Sequence, residues 1–101
     1  MALVELKHNG IRIPVLDVIA AIAAERDFQD RKHGSIDTGG GHTLGEWVLL
    51  IEAELEEAKR ALIKGGTGRD RVRSEIVQIA AVCFACLEQH GVDDIENGRQ
   101  V

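Results

Sequence analysis

Glycine divides most of this 101-residue chain into three segments of helix length. Apolar residues recur at helical spacing over residues 14–33, 44–64 and 70–90. Each segment is followed by glycine, the usual residue just beyond a helix C-terminus: Gly34, Gly65-Gly66 and Gly91. Thr43 and Glu46 have the spacing of a capping box, which marks the start of the second segment. The pattern predicts an all-α protein built from three long helices.

A short β-hairpin is expected before the first helix. Apolar and polar residues alternate over residues 4–13 on both sides of Asn9-Gly10. The Asn-Gly pair favours a tight turn because both of its positions take positive φ. Pro14 then suits the first turn of the helix, where its missing N–H has no partner to lose. A lone hairpin is marginally stable in water, so this one should pack on the helices or on another chain.

Composition narrows the class of protein. Asp and Glu number 17 against 12 Lys and Arg, and the resulting net charge of −5 argues against a nucleic-acid or anionic-membrane binder. No apolar run is long enough to span a bilayer, and the first residues lack a signal-peptide pattern. We therefore expect a single domain over residues 1–101 in the cytoplasm. Cys83 and Cys86 lie in mid-helix and are expected to be reduced core thiols.

The connection between the first two helices spans residues 35–42 and contains three consecutive glycines. Glycine-rich segments of this kind form mobile loops. The sequence is compatible with a plain connector and with a lid over a ligand, and it does not decide between them.

The second helix carries two stripes of core-like spacing. The first is apolar throughout: Leu44, Val48, Ile51, Leu55, Ala58 and Leu62. The second places Glu54 and Glu57 where leucine is expected. Its other members are Trp47, Leu50 and Ala61. Glu52 and Glu56 point roughly towards solvent, so the acidic run holds one pair of carboxylates on a core-facing stripe and one pair outside it.

The third helix repeats this arrangement. Its expected core stripe is Val72, Ile76, Ile79, Cys83, Cys86 and Leu87. Glu75 and Gln78 lie on the adjoining stripe, with the same spacing as Glu54 and Glu57. A short loop makes the second and third helices antiparallel neighbours. Counting from that loop places the four oxygen-bearing side chains within about 8 Å of one another along the helix axis.

Two explanations fit these converging side chains. Carboxylate and amide oxygens without clustered His or Cys are the ligands that Mg²⁺ and Mn²⁺ prefer. Runs of charge are also common on solvated helix faces. Spacing alone leaves both explanations open.

The ordered set of motifs resembles the MazG-like nucleoside triphosphate pyrophosphohydrolases, which carry an ExxE pair on one helix and an ExxD pair on the next. Glu54-Leu55-Glu56-Glu57 matches the first pair, and Glu75-Ile76-Val77-Gln78 matches the second with Gln in place of Asp. Further similarity to small phage and prophage members lies at residues 25–34, His42 and Trp47. The resemblance covers about residues 25–90.

The resemblance implies hydrolysis of a (deoxy)nucleoside triphosphate to the monophosphate and pyrophosphate, with Mg²⁺ or Mn²⁺ as cofactor. Similarity to phage members favours a purine deoxynucleotide such as dGTP or dATP. Glu54, Glu57 and Glu75 are then the catalytic metal ligands, and Gln78 is a weaker ligand or a neighbour of the ligands. Candidates for phosphate contacts are Lys32, Arg69, Arg71 and Arg73, although each arginine can equally be an ordinary exposed cation. Trp47 is a candidate for stacking on the base or for packing in the core.

The apolar faces also predict a homo-oligomer, a dimer or a tetramer, that completes a four-helix-bundle-like MazG fold. The third helix is apolar on nearly every side over residues 76–87, and two other helices cannot surround it. A symmetric interface would bury the remainder. The alternative is a helical oligomerisation or regulatory module without enzymatic activity, in which the acidic stripe is a partner surface.

Overall fold

The computed structural model describes residues 7–65 and 68–93, without the side chains of Lys7, Gly68 and Arg69. The elements in chain order are β1 (Lys7–His8), β2 (Ile11–Arg12), α1 (Ile13–His33), a 3₁₀ turn (Ile36–Thr38), α2 (Leu44–Lys64) and α3 (Gly68–His90). The all-α class with a small β appendage is therefore confirmed. No helix among the described residues is both long enough and apolar enough to cross a bilayer.

The predicted hairpin is present over its described part. β1 and β2 pair antiparallel, with Lys7 opposite Arg12 and His8 opposite Ile11. The turn between them places Asn9 at φ 52° and Gly10 at φ 79°, as the Asn-Gly pair predicts. The outer part of the predicted hairpin, residues 4–6, lies outside the described residues.

Local signals set the helix ends. α1 starts one residue before Pro14 and ends at His33, where the Gly34 N–H donates to the Asp30 carbonyl oxygen at 2.9 Å. α2 begins after Thr43, whose hydroxyl accepts from the Glu46 N–H at 3.1 Å while the Glu46 carboxylate accepts from the Thr43 N–H at 2.9 Å. α3 begins at Gly68, two residues earlier than expected. The three helices therefore have nearly the predicted lengths.

α3 is the central element, because α1 and α2 both pack against it. Among residues 8–65 and 70–93, the buried apolar residues are mostly small: Ile22, Trp47, Ala58, Ala61, Ala81, Ala85 and Cys86. Trp47 of α2 packs against Ala85, Cys86 and Val82 of α3. At this point the seam between α2 and α3 therefore consists of one large ring surrounded by smaller side chains.

The expected core stripe of α2 is wrong for a single chain. Val48, Leu55 and Leu62 are 57%, 50% and 69% exposed, and Leu44 is also exposed. Of that stripe only Ala58 is buried, and Ile51 is partly buried. The stripe that contains Trp47, Glu54 and Ala61 faces α3 instead, because the small side chains of Ala85 and Cys86 on α3 leave room for the Trp47 ring.

The expected core stripe of α3 needs a similar correction. Ile76 and Leu87 are about half exposed, whereas Glu75, Ala81 and Ala85 are buried. The two cysteines do behave as core thiols: Cys86 is buried and Cys83 is partly buried, and neither forms a disulfide. Burial is the main cause that raises the pKa of the Cys83 thiol, and the nearby Cys86 raises it further.

Candidate metal centre

Three carboxylates from two helices meet at the seam between α2 and α3. Glu54 and Glu57 lie one turn apart on α2, and Glu75 lies opposite them on α3. One carboxylate oxygen from each residue lies within 4.8 Å of the others. The antiparallel arrangement expected from the short loop therefore brings these three predicted residues together.

Two oxygens of this cluster are buried and have no hydrogen-bond partner among the described residues: Glu75 Oε2 and Glu54 Oε2. The Glu75 side chain is only 8% exposed, and Glu54 is partly buried, whereas Glu57 is exposed to solvent. A buried charged oxygen without a donor is strongly unfavourable, so such groups usually have a role that compensates for it.

The electrostatics of the cluster are repulsive. The pKa of Glu54 is raised, chiefly by burial and then by the charges of Glu57, Glu75 and Glu25, in that order. Lys32 opposes this shift and lowers the pKa of Glu54. The cluster therefore has an excess of negative charge, which a bound cation would relieve.

The donor set fits a hard divalent cation. It consists of carboxylate oxygens only, and Mg²⁺ and Mn²⁺ favour such ligands. Gln78 lies one turn after Glu75 and is partly buried, and its backbone carbonyl oxygen accepts from Gln29 Nε2 at 3.5 Å. Its amide brings no charge, so the carboxylates carry the electrostatic attraction for a cation.

A cavity of about 380 Å³ opens beside Glu54. Residues from all three helices and from the 34–42 loop line it: Arg26, Gln29, Asp30, His33, Gly34, Ile36, Gly39, Gly40, His42, Trp47, Leu50, Glu54, Val82 and Ala85. Because Glu54 belongs both to the cavity and to the carboxylate cluster, a ligand in the cavity would reach the cluster directly.

The glycine-rich loop has a defined path along this cavity. The Gly40 N–H donates to the Ser35 carbonyl oxygen at 2.8 Å, which closes the 3₁₀ turn. A Cβ atom on Gly40 would lie only 2.0 Å from the Gly34 carbonyl oxygen, so the path requires glycine there. The loop is therefore a wall of the cavity, and its closure as a lid stays a prediction.

Gln89 holds this loop against α2 and α3. Its Oε1 atom accepts from Trp47 Nε1 and from the His42 N–H, both at 2.9 Å, and its Nε2 atom donates to the His42 carbonyl oxygen at 2.7 Å. The rings of His42 and Trp47 meet edge to face at 4.7 Å. Trp47 is thus a fixed wall of the cavity, and sequence reasoning missed Gln89 because nothing local marks a contact 42 positions away.

Arg26 is a second residue that sequence reasoning did not single out as functional. Its buried guanidinium donates to both oxygens of Glu88, from Nε at 3.1 Å and from Nη2 at 2.8 Å. Nη1 also donates to Asp30 at 2.9 Å. The bond with Glu88 is the main cause that raises the pKa of Arg26. The i, i+4 spacing of Arg26 and Asp30 was the one local signal of this network.

The basic candidates lie in different surroundings. Arg71 approaches the cluster, with its Nε 3.8 Å from Glu75 Oε1, and stays mostly exposed. Lys32 is exposed on α1 and acts on Glu54 through its charge. Arg73 instead pairs with Asp70 on the surface, and the Arg69 side chain lies outside the described residues. Lys32 and Arg71 are therefore better placed than Arg73 to meet an anionic ligand at the carboxylates.

Comparison of this chain with protein-family models, curated proteins and solved structures finds no match.

Proposed function

We propose that this protein is a Mg²⁺- or Mn²⁺-dependent pyrophosphohydrolase of nucleoside triphosphates. The observation that carries the proposal is the pair of buried carboxylate oxygens on Glu54 and Glu75 that find no partner in the described part of the chain, with a Glu57 oxygen within 4.8 Å. Such a cluster destabilises the fold when empty and is compensated when a divalent cation binds.

In the proposed reaction, water attacks the α-phosphorus of the nucleoside triphosphate. The bond between that phosphorus and the bridging oxygen breaks, and pyrophosphate leaves. A divalent cation, when bound, neutralises phosphate charge and lowers the pKa of water. We assign Glu54 to orient or deprotonate the attacking water, because it belongs both to the carboxylate cluster and to the lining of the cavity. Lys32 and Arg71 would contact phosphate oxygens near the carboxylates.

The cavity beside Glu54 supports a nucleotide as the ligand. Its volume of about 380 Å³ falls in the range of small-molecule sites. Trp47 and Leu50 supply apolar walls, and Asp30 and Gln29 supply polar groups. We propose that the base enters this cavity and that the triphosphate extends towards Glu54. Purine deoxynucleotides such as dGTP or dATP are the substrates to test first, with the cytoplasm as the proposed location.

A homo-oligomer is part of the proposal. Large side chains of α2 and α3 are exposed in the single chain: Leu44, Val48, Leu49, Leu55, Leu62, Ile63, Ile76, Phe84 and Leu87. So much exposed apolar surface is unusual for a monomer. A dimer or tetramer would bury it and complete a four-helix-bundle-like MazG fold. The same surface favours the second candidate function, a helical oligomerisation or regulatory module without catalysis.

A pyrophosphate-release assay tests the enzymatic proposal. The purified protein should release pyrophosphate from one or more of the eight common NTPs and dNTPs in the presence of Mg²⁺ or Mn²⁺, and EDTA should stop the release. Absence of release from all eight, with no Mn²⁺ ordered between Glu54, Glu57 and Glu75 in soaked crystals, would favour the oligomerisation module.

A further inference from the structure

We propose that Gln89 of α3 is a positioning residue for the nucleotide base, because it fixes two walls of the cavity before the ligand binds. These walls are the Trp47 ring of α2 and the His42 end of the glycine-rich loop, and both residues line the cavity. Gln89 contacts both of them and acts through them. The inference rests on the proposed placement of a base in this cavity.

The Gln89 amide connects a side chain of α2 to the backbone of the loop. Its Oε1 atom accepts from Trp47 Nε1 and from the His42 N–H at 2.9 Å each, and its Nε2 atom donates to the His42 carbonyl oxygen at 2.7 Å. Only one orientation of the amide fits, because both groups at Oε1 are donors and the carbonyl at Nε2 is an acceptor. A single side chain therefore holds α2 and the loop in register.

The loop is held at its C-terminal end by both backbone groups of one residue. The N–H and the carbonyl group of His42 both pair with Gln89, and His90 Nε2 lies 3.0 Å from the same carbonyl oxygen. A Cβ atom on Gly41 would lie 3.3 Å from Gln89 Oε1, so glycine leaves room for this pairing. Gly39 and Gly40, which line the cavity, come just before this fixed point.

The Trp47 ring is held from two directions. One side packs against Val82, Ala85 and Cys86, and the indole N–H, its one polar group, donates to Gln89. Trp47 is 6% exposed, so this N–H would lose its partner in a buried position if Gln89 were replaced. The orientation of the ring, and with it the shape of the cavity, therefore depends on Gln89.

Gln89 is far from the carboxylate cluster. It lies 14 positions after Glu75 on α3, which is about 20 Å along the helix axis. Its replacement should therefore disturb the binding of the base and leave the carboxylates in place. If the walls are correctly formed for only about a tenth of the time, the apparent affinity for the nucleotide falls about 10-fold.

Nucleotide titrations of Gln89→Met test the inference. Methionine has nearly the same length as glutamine and removes all three hydrogen bonds. Trp47 is the single tryptophan and the chain has no tyrosine, so intrinsic fluorescence reports on this wall of the cavity. We titrate the proteins with dGMP and with dAMP in EDTA, where binding is measured apart from metal and hydrolysis. We expect Gln89→Met to weaken binding about 10-fold and to shift the emission of the free protein to longer wavelength.

The pyrophosphate-release assay adds a second measurement. Gln89→Met should raise KM about 10-fold and leave kcat within about 3-fold of the wild type, as for a loss of binding that leaves the reaction step intact. Arg31→Met is the matched control, because Arg31 forms an exposed ion pair with Asp27 on α1 and should behave as the wild type in both assays. Thermal melts show whether each variant is folded.

A double-mutant cycle tests whether Gln89 acts through Trp47. Trp47→Phe keeps an aromatic ring and removes the N–H that donates to Gln89. Calorimetric titration with dGMP should then show a smaller effect of Gln89→Met in the Trp47→Phe protein than in the wild type. The same loss in both backgrounds would overturn the inference.

The other outcomes separate this inference from the proposed reaction. A folded Gln89→Met that binds both monophosphates as tightly as the wild type, or that loses kcat and keeps KM, overturns the inference and leaves the reaction standing. If neither monophosphate binds the wild type, the placement of the base and the inference fail together. If Gln89→Met weakens binding but the wild type releases no pyrophosphate, the inference stands and the reaction fails. Should Gln89→Met not fold, Gln89→Glu takes its place, because it keeps the acceptor and loses the donor to the His42 carbonyl.

Discussion

Arg26 of α1 and Glu88 of α3 form a two-point ion pair across 62 positions of the sequence, with N–O distances of 3.1 and 2.8 Å. The two partners differ in solvent access: the Arg26 side chain is 10% exposed and that of Glu88 is 49% exposed. Removing the carboxylate therefore leaves a buried cation, whereas removing the guanidinium leaves a carboxylate that water can solvate.

This asymmetry predicts unequal effects on stability. We expect Glu88→Ala to lower the free energy of unfolding by about 1–3 kcal/mol, because among the described residues Arg26 then keeps Asp30 alone as a partner. Arg26→Met keeps most of the apolar volume and should cost about 1 kcal/mol or less. Urea denaturation at pH 7 measures both values. If Arg26→Met lowers the free energy of unfolding more than Glu88→Ala does, the packing of the Arg26 side chain matters more than an unpaired buried charge.

The carboxylate cluster predicts a sharp contrast between neighbouring glutamates. Glu54→Gln and Glu75→Gln should each reduce pyrophosphate release by about 100-fold or more with the fold intact, because each removes a charged ligand and changes little volume. Glu52→Gln, on the exposed side of α2, should be nearly silent. Circular dichroism checks the fold. If Glu52→Gln is as damaging as Glu54→Gln, the assignment of helix faces is wrong.

Gln78→Asp tests the role of Gln78, the neutral residue among the four oxygen-bearing side chains that the sequence places together. The substitution adds a carboxylate one turn after Glu75, so we expect Mg²⁺ affinity to stay the same or to rise, although the side chain is one methylene shorter. Activity measured over a range of Mg²⁺ concentrations gives the apparent affinity. A large loss of activity at saturating Mg²⁺ would instead show that the amide of Gln78 has a specific role, such as donating to substrate.

The raised pKa of Glu54 predicts how the metal-free protein responds to pH. Below its ordinary value of 4.5 this residue is protonated in both the folded and the unfolded protein, and its contribution to stability is fully present. As pH rises through the higher folded-state pKa, the unfolded chain has already released the proton, so that stability is lost. Glu54→Gln cannot ionise, and its melting temperature should exceed that of the wild type by a few degrees at pH 7–8 in EDTA.

The difference in melting temperature between the wild type and Glu54→Gln isolates the effect of Glu54 from that of other titrating groups. The pKa of Glu46, for example, is lowered by its bonds to Thr43, so its contribution is lost as pH falls and is the same in both proteins. The advantage of Glu54→Gln should vanish near pH 4, and excess Mg²⁺ should stabilise the wild type more than the variant. A variant that melts below the wild type at pH 8 in EDTA would contradict the repulsive character of the cluster.

The exposed stripe of α2 predicts the oligomeric state. Sedimentation at micromolar concentration should give a mass at least twice the 11.0 kDa of one chain. Leu55→Glu places a charge on the stripe and should lower the mass to that of one chain. Ala53→Glu, at an exposed position on another side of α2, is the control and should leave the mass unchanged. A wild-type protein that is active as a monomer would refute the packing argument.

The helices and the hairpin were predictable because their signals are local. Asn9-Gly10, Gly34 and the Thr43–Glu46 capping box each determine a turn or a helix end through contacts within a few residues. The convergence of Glu54 and Glu75 was also predictable, because a short connection leaves two helices few ways to pack.

The inward face of α2 was not predictable in the same way. Both of its stripes have helical core spacing, and hydrophobicity alone favours the one with Leu55 and Leu62. The structure instead turns Trp47, Glu54 and Ala61 inward, because Trp47 packs in the space that Ala85 and Cys86 of α3 leave. The contacts of Arg26 with Glu88 and of Gln89 with Trp47 could not be predicted for another reason. Each pair is separated by more than 40 positions, and residue spacing carries no information over that distance.

Gly40 limits how this protein can diversify. A Cβ atom there would collide with the Gly34 carbonyl oxygen, so selection or engineering cannot add bulk at this point without rebuilding one wall of the cavity. Ile36 and Leu50 line the same cavity from the loop and from α2 without that restriction. A mutagenesis library intended to alter the size of the accepted ligand should therefore vary Ile36 and Leu50. It should leave Gly40 unchanged, because any side chain there would clash with the backbone of the loop.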